Sequence, residues 1–342
     1  MVGAEKIRPY VNSEIFLQSE PITLGGAFDD WKSGEYQGGE LQYGSIWLES
    51  GVKRGGLSLG LLHRQEYIAK FSSDTADYYY DSQQHQLDAG RNYKIDLETQ
   101  SFKAKGLRLQ KQFDINERIQ ISVGGSLLNA RGLQNGTLSG FSTAESSGKD
   151  QNYQANLDYY YDQDRLLDRP NVNEPSGKGY ALDAKIRWQP TKEWGFDIVL
   201  KDVVGEISWD DAPYTKAILN SGNNKVVGSD GYTKITPQLK GVEGYQSSFK
   251  QKLKPKADTI IKYDADLDGY STYVAIKHIP NKTLWGVGKE TPLLNGKVSL
   301  SIWPQDKLMY LGYSRKKANV FIGLDDVDLS KVNTVWAGVE FR

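Results

Sequence analysis

Residues 179–209 read GYALDAKIRWQPTKEWGFDIVLKDVVGEISW and show the clearest structural pattern in the chain. From Tyr180 to Trp188 every second residue is apolar, and the residues between them are small or charged. A period of two places neighbouring side chains on opposite faces of a β-strand, whereas a helix repeats its apolar positions every 3.6 residues. The pattern therefore predicts a strand with one apolar face and one polar face.

A short polar turn, 189–193, separates this strand from a second alternating segment. In that segment Phe196 belongs to the apolar face and Asp197 to the polar face, and Trp188 and Trp194 bracket the turn. Aromatic residues flank the apolar face of each strand in a membrane barrel, where lipid lies outside and the interior is polar. We therefore interpret residues 179–209 as a hairpin of such a barrel.

The composition of the whole chain agrees with this interpretation. The 342 residues are 38% hydrophobic with a mean hydropathy of -0.57, and no stretch approaches the roughly 20 apolar residues of a spanning helix. The 21 Tyr and 8 Trp are residue types that accumulate where a side chain is apolar at one end and hydrated at the other. We predict an all-β fold over residues 1–342, a single transmembrane, antiparallel, up-and-down β-barrel of about 16 strands, with 14 to 18 as the range.

Charge and cysteine content exclude several other classes. The chain has 42 basic and 43 acidic residues, so its net charge gives no general attraction to nucleic acid. The absence of Cys excludes disulfides and thiolate metal sites. The first six residues lack the apolar core of a secretory signal, so the barrel interpretation expects a mature form whose signal has been removed.

Two long polar segments, 72–90 and 210–244, are predicted loops between strands. Loops longer than about 15 residues are usually functional or mobile. The sequence DYYYD occurs in the first of them at 77–81 and again at 158–162. The two copies are either an internal repeat of a hairpin unit or independent positions of an aromatic girdle.

The C-terminal segment alternates in the same way, with Val335, Ala337, Val339 and Phe341 opposite Trp336, Gly338 and Glu340. It resembles the terminal strand of Gram-negative outer-membrane β-barrel proteins, whose last residue is typically Phe and is read by the barrel-insertion machinery. Arg342 after Phe341 departs from that pattern. The resemblance implies an outer-membrane location, contact with membrane lipid and lipopolysaccharide, and insertion by that machinery. It identifies no particular family.

Charged residues on the polar faces of the strands are the predicted pore-lining groups. They are Lys94, Asp96, Glu98, Asp183, Lys185, Arg187, Asp197, Lys201, Lys250, Lys252 and Lys254. Charges that face one another across a pore create the field and the selectivity of a channel, and about 16 strands leave room for an aqueous path. We expect a porin-like channel for small polar or charged solutes, although the same charges could simply pair with one another in a narrow or plugged barrel.

A metal site has weak support. Asp264, Asp266 and Asp268 match the opening of a calcium loop, but its twelfth position is Ala275 rather than Glu. An Asp-Gly hairpin turn explains the same residues with fewer assumptions. No cofactor is expected, and calcium at this turn is the one alternative.

An enzyme is not expected. His63, His85 and His278 show no metal-binding spacing, and no G-x-S-x-G motif is present. Lipid A deacylases and phospholipase A resemble this architecture and use a His with a Ser, a role that only His63 could imitate. The alternatives to a channel are an adhesin or receptor, the export pore of a secretion or polysaccharide system, and a soluble all-β protein such as a lectin-like sandwich or a solenoid.

Overall fold

Polar–apolar alternation recurs along almost the entire chain, and most of the protein is therefore strand. The computed structural model describes residues 6–144, 151–164, 166–167, 169–221, 225–227, 233–235, 238–264 and 269–342. The strands in this part of the chain are β1 (Arg8–Ser19), β2 (Leu41–Arg54), β3 (Leu57–Phe71), β4 (Asn92–Asn116), β5 (Ile119–Ala144), β6 (Gln151–Tyr161), β7 (Ser176–Trp188), β8 (Trp194–Asn220), β9 (Lys225–Val227), β10 (Thr233–Ile235), β11 (Gln238–Lys252), β12 (Lys256–Tyr263), β13 (Ser271–Ile279), β14 (Lys282–Leu293), β15 (Gly296–Trp303), β16 (Leu308–Arg315), β17 (Ala318–Leu324) and β18 (Thr334–Phe341). Two helices, α1 (Leu24–Phe28) and α2 (Ser73–Gln83), and a 3₁₀ turn (Pro304–Asp306) accompany them.

Fourteen of these strands close a barrel by antiparallel pairing. The ring runs β1 to β5, then β7 and β8, then β12 to β18, and β18 pairs with β1 to close it. Two further strands extend the wall: β6 pairs with β5 and β8, and β11 pairs with β8. The predicted all-β antiparallel barrel is confirmed, with fourteen strands in the ring and sixteen in the whole sheet.

The connections differ in length at the two ends of the barrel. Turns of two residues join β2 to β3, β4 to β5, β14 to β15 and β16 to β17, and both ends of the chain lie at this end. The opposite end carries most of the longer connections, including both helices, together with one two-residue turn between β13 and β14. Since outer-membrane barrels have short periplasmic turns and longer extracellular loops, we call the two ends periplasmic and extracellular.

The outer face of the ring is apolar. Strand register places Leu61, Leu107, Leu127 and Tyr180 in one row across four neighbouring strands, and all four side chains are exposed. A second row on the opposite wall contains Leu300, Leu311 and Ile322. A continuous exposed apolar belt on a closed barrel is the lipid-facing surface of an outer-membrane protein, so the predicted class and location are confirmed. None of the described helices is long and apolar enough to cross a bilayer.

One side of the barrel is much taller than the other. Strands β4, β5 and β8 have 25, 26 and 27 residues, whereas β15, β16 and β17 have 8, 8 and 7. A strand needs about 9–11 residues to cross the membrane, so the long strands project beyond it on the extracellular side together with β6 and β11. We call this projecting sheet the wall extension. It occupies part of the predicted loop 210–244, because β8 continues to Asn220 and β11 starts at Gln238.

The two DYYYD sequences adopt different structures. The first lies in α2, where the predicted loop is replaced by a helix whose N-cap Ser72 accepts a hydrogen bond from the Thr75 amide, and the second lies at the end of β6. Within α2, Asp77 accepts hydrogen bonds from Tyr36 and Arg91, both at 2.5 Å. Burial raises the pKa of Asp77, but these two hydrogen bonds lower it, and the resulting pKa lies below its ordinary value. Because one copy is helical and the other lies in a strand, the two copies are not a repeated hairpin. Tertiary packing has overridden the local conformational preference of the shared sequence.

The belt makes a direct prediction. Leu127→Arg places a charge on the lipid face and should lower the free energy of unfolding by about 2–4 kcal/mol. Val242→Arg, at an exposed site of the wall extension, is the matched control and should change that free energy little. Urea unfolding in lipid vesicles measures both, and equal effects of the two substitutions would contradict the assignment of the belt.

Candidate functional site

The periplasmic half of the lumen is an open vestibule with a volume of about 780 Å³. Its wall is formed by inward-facing residues of β1 to β5, β7, β8, β12 and β18 and by the turns between β2 and β3 and between β16 and β17. Ten basic and six acidic side chains line it. The vestibule is therefore a hydrated and electropositive compartment that ends inside the barrel.

Trp47 forms part of the vestibule wall at its inner end. Only 7% of this residue is exposed, and three cations lie near its ring. Arg64, Lys201 and Arg108 are 5.3, 5.4 and 5.7 Å from the ring centroid. Cations at such distances are attracted to the face of an indole, so Trp47 is the shared contact of the charged groups around it.

The first of these charged groups is a buried quartet. Arg64 donates two hydrogen bonds to Asp202, at 2.6 and 2.7 Å, and a third to Glu66 at 3.2 Å. Lys256 contacts Glu66 at 2.5 Å and Asp202 at 2.6 Å. The register of β7 against β8 shifts between Leu182 and Ala184, and Asp202 takes a positive φ of 54° there. This irregularity brings the Asp202 carboxylate into the lumen.

A second group surrounds Arg108. Arg108 contacts Asp183 at 3.1 Å and Glu49 at 3.4 Å, and Tyr10 donates a hydrogen bond to Glu49 at 2.6 Å. Asp183 also accepts a hydrogen bond from the backbone amide of Asp202 at 3.0 Å. This last bond connects the second group to the quartet.

A third group is centred on Glu14. Its carboxylate contacts Lys201 at 2.6 Å and Lys277 at 3.1 Å, and accepts a hydrogen bond from the Trp336 indole at 3.0 Å. Lys277 also contacts Asp258 at 2.8 Å. We call the three groups together the charge layer: Glu14, Glu49, Arg64, Glu66, Arg108, Asp183, Lys201, Asp202, Lys256, Asp258 and Lys277.

Apolar side chains fill the lumen on the extracellular side of the charge layer. One cluster joins inward residues of β2, β3, β4, β5, β7 and β8, among them Leu62, Phe102 and Trp209. The other joins residues of β1, β2, β3 and β13 to β16, among them Phe16 and Trp303. Strand number predicts room for an aqueous path, but side chains from facing walls meet at this height. The described residues therefore close the lumen above the vestibule.

Aromatic rings follow the inner face of the short wall from its extracellular edge toward the vestibule. We call this set the aromatic ladder: Phe16, Tyr43, Trp303, Tyr310, Phe321 and Trp336. Trp336 lies within 5.3–6.1 Å of four of these rings, measured between centroids, and Tyr43 is 6.0 Å from Phe16. The ladder gives the lumen a continuous apolar track beside the charge layer.

Four of the predicted pore-lining residues line the vestibule: Asp183, Lys185, Arg187 and Lys201. Asp197 lies beside them and contacts Arg187 at 3.0 Å. The pore-lining role of these residues stays a prediction, since position alone does not test it.

The other predicted pore-lining residues lie higher. Lys94, Asp96 and Glu98 are exposed on the β4 part of the wall extension, and Glu98 contacts Lys254 at 3.1 Å. Lys250 and Lys252 flank the buried Gln251, whose amide reaches the carbonyls of Ser101 and Gln134 across the lumen. Both lysines therefore point away from the lumen, and the three lysines do not form one row inside it.

Sequence reasoning missed most of the charge layer, including Glu14, Arg64, Arg108, Asp202 and Lys256. An available signal was the presence of ionisable residues within strands that cross a membrane, which mark functional sites by default. The alternation itself gave no reason to prefer them over other charged residues, because the pairs join strands that are far apart in sequence.

The calcium and histidine predictions have different outcomes. Asp264 is described, and contacts Lys262 at 3.6 Å, whereas residues 266 and 268 lie outside the described residues. Within the described ranges, no group of three or more His, Cys, Asp or Glu side chains could hold a metal. Calcium at this turn stays a prediction. His63 pairs in register with the exposed Leu48 on the outer face of the barrel.

No protein-family model matches the chain, and no curated protein sequence matches it. Among solved structures it is similar to the P. putida toluene transporter TodX, with a TM-score of 0.41 and 8% identity over 99% of this chain and 89% of that one. A TodX deltaS2S3 mutant, described as a monoaromatic hydrocarbon channel, gives 0.43 and 7% over 98% and 90%. The Ralstonia pickettii toluene transporter TbuX gives 0.32 and 8% over 99% and 88%.

The quartet predicts a large effect of removing one partner. Arg64→Ala leaves two buried carboxylates with Lys256 alone, and such uncompensated charge lowers the free energy of unfolding by about 3–5 kcal/mol. Lys250→Ala breaks an exposed pair with Glu206 and should change the free energy of unfolding little, because solvent screens such a pair. Denaturant unfolding in vesicles measures the free energy of unfolding of both variants. Similar losses in the two variants would show that the quartet is not a closed network.

Proposed function

We propose that the protein is a gated channel of the outer membrane, through whose lumen a small solute passes to the vestibule. The supporting observation is a layer of eleven ionisable residues at the inner end of a hydrated cavity, six of them buried, with three of its cations over the Trp47 ring. Buried ion pairs are poor stabilisers, because the loss of hydration offsets most of their attraction, and apolar residues of similar size often stabilise a protein better. Ionisable groups inside a membrane protein are accordingly expected to serve transport.

The gate consists of side chains of the barrel wall. Trp47 and the two apolar clusters close the lumen, and rotamer changes of such side chains can open a path without breaking a strand ladder. Trp47 is the central element, because it contacts cations of all three charged groups and belongs to the first apolar cluster. A shift of the Trp47 ring would therefore loosen the charge layer and the first apolar cluster together.

The solute we propose has an apolar or aromatic face. A porin for small polar or charged solutes has a water-filled interior, whereas here the aromatic ladder lies along the upper lumen. Aromatic rings pack on one another in stacked and edge-to-face arrangements, and the ladder offers a sequence of such contacts. The competing proposal is a polar solute, as the charged strand faces predict. Proteoliposome swelling distinguishes the two classes of solute.

The gate is tested by Trp47→Ala. Removing the indole should connect the vestibule with the extracellular side, so that planar-bilayer recordings show longer and more frequent open steps than the unaltered protein. Trp285→Ala, at an exposed position on the outer face, is the matched control and should behave like the unaltered protein. Heat-modifiable electrophoretic mobility verifies folding. A folded Trp47→Ala variant without conductance would contradict the channel proposal.

The solute class is tested by proteoliposome swelling with glucose and with p-nitrophenyl glucoside in the Trp47→Ala background. We expect the aromatic glucoside to enter faster relative to glucose. Phe16→Leu with Phe321→Leu keeps the lumen apolar but removes two rings, and should reduce that preference about two- to tenfold. Phe113→Leu with Phe141→Leu, both exposed positions, is the control. Glucose entering as fast as the glucoside would favour the polar solute.

A receptor or adhesin is the second candidate, because the wall extension and α2 form a large extracellular structure. A folded Trp47→Ala variant that shows no conductance but binds whole cells or purified lipopolysaccharide would favour this function. Contact with lipopolysaccharide and recognition by the insertion machinery are proposals in either case.

A further inference from the structure

We propose that the vestibule contains a binding site for a small anion with two or more negative charges, reached from the periplasm. The site is independent of the gate, since it lies on the periplasmic side of Trp47. It rests on the balance of charges in the vestibule wall, and on how few of its cations have partners.

Five of the six carboxylates that line the vestibule contact a cation. Four belong to the charge layer, where Lys201, Lys277 and Arg108 hold them. Asp114 accepts hydrogen bonds from the amides of Gln112 and Gln120, at 3.1 and 2.7 Å. Glu340 contacts Arg342 at 2.7 Å. Asp114 has no cation within 4 Å among the described residues, but it interacts electrostatically with Lys53.

Six of the lining cations contact no carboxylate among the described residues. They are Lys6, Arg8, Lys53, Lys185, Lys316 and Lys317. Because the vestibule is partly enclosed by the low-dielectric barrel wall, its charges focus a positive potential inside it. A mobile anion is the simplest group that can balance that potential.

The strand register adds a specific repulsion. Arg8 and Lys53 are direct partners in the ladder between β1 and β2, and both point into the vestibule. Like charges in directly opposite positions destabilise a strand pair. An anion held between the two side chains would turn this repulsion into two attractive contacts.

Two of the other cations, Lys316 and Lys317, lie on the same periplasmic rim as this pair. Lys316 and Lys317 form the turn between β16 and β17, and the carbonyl of Lys317 accepts a hydrogen bond from the Arg342 amide at 2.8 Å. Since β17, β18, β1 and β2 are consecutive in the ring, the cations occupy one arc of the mouth. Lys185 projects from β7 on the opposite wall.

The chemistry of this arc fits phosphate or carboxylate groups. Guanidinium and ammonium groups make their strongest hydrogen bonds to such oxygens, and cations on several strands favour a ligand with more than one charge. The side chains face the lumen, so headgroups of the surrounding bilayer do not reach them. The ligand we propose is therefore a soluble anion and not a lipid.

Isothermal titration calorimetry with inorganic pyrophosphate tests the proposal on the full-length protein in a non-ionic detergent at low salt. We expect saturable binding that weakens as salt screens the charges. The variant Lys53→Gln, Lys316→Gln, Lys317→Gln should bind at least about tenfold more weakly, because each charged hydrogen bond contributes about that factor. Lys70→Gln, Lys94→Gln, Lys252→Gln removes the same charge from exposed sites outside the vestibule and should bind like the unaltered protein.

Three results would overturn the proposal: no saturable binding of pyrophosphate or citrate, equal weakening in both triple variants, or competition by phosphatidylglycerol, which would identify a headgroup site on the outside. Thermal unfolding gives a second readout. Lys53→Gln should raise the unfolding midpoint of the ligand-free protein at low salt, since it removes the repulsion from Arg8. Pyrophosphate should then stabilise the unaltered protein more than this variant, and the opposite order would also refute the site.

Discussion

Backbone hydrogen bonding in lipid is the constraint on which the structure depends. No water reaches the bilayer core, so every N–H and C=O group there must be satisfied by another part of the chain. Antiparallel pairing achieves this only if the sheet has no free edge, and the ladder between β18 and β1 removes the last edge of the ring. The outer face can then be largely apolar, because lipid covers it, and the ionisable side chains of the charge layer are directed inward.

A second constraint acts on the inner face, which is the loss of hydration of its charged side chains. Charged side chains directed into a narrow lumen lose hydration and must find partners, and here they find them across the barrel, as Arg64 does with Asp202 and Lys277 with Glu14. Aromatic residues occupy the space that remains above them. The closed lumen, the charge layer and the vestibule are thus three consequences of one geometry, and the proposed transport function would use side-chain motion around Trp47.

Alternation was a good guide to the face of a residue wherever the strand was regular. It placed Asp183, Lys185 and Arg187 inside the barrel, as the structure does, and it identified the C-terminal strand that ends at Phe341. Alternation did not predict the helix α2, since the sequence DYYYD is compatible with either a helix or a strand. It also placed Lys250 and Lys252 inside, because a long strand with weak polar alternation does not reveal which of its faces meets the lumen.

The sequence by itself determined the class of fold and the apolar exterior, since these follow from a period of two that the strands carry locally, and the resemblance of the C-terminal strand indicated the outer-membrane location. Only the tertiary structure decided that the lumen is closed, which charges meet in it, and which cations of the vestibule stay without partners. The physical reason is that these contacts join residues separated by most of the chain. Their partners depend on the register and curvature of the closed ring, and no local pattern encodes either.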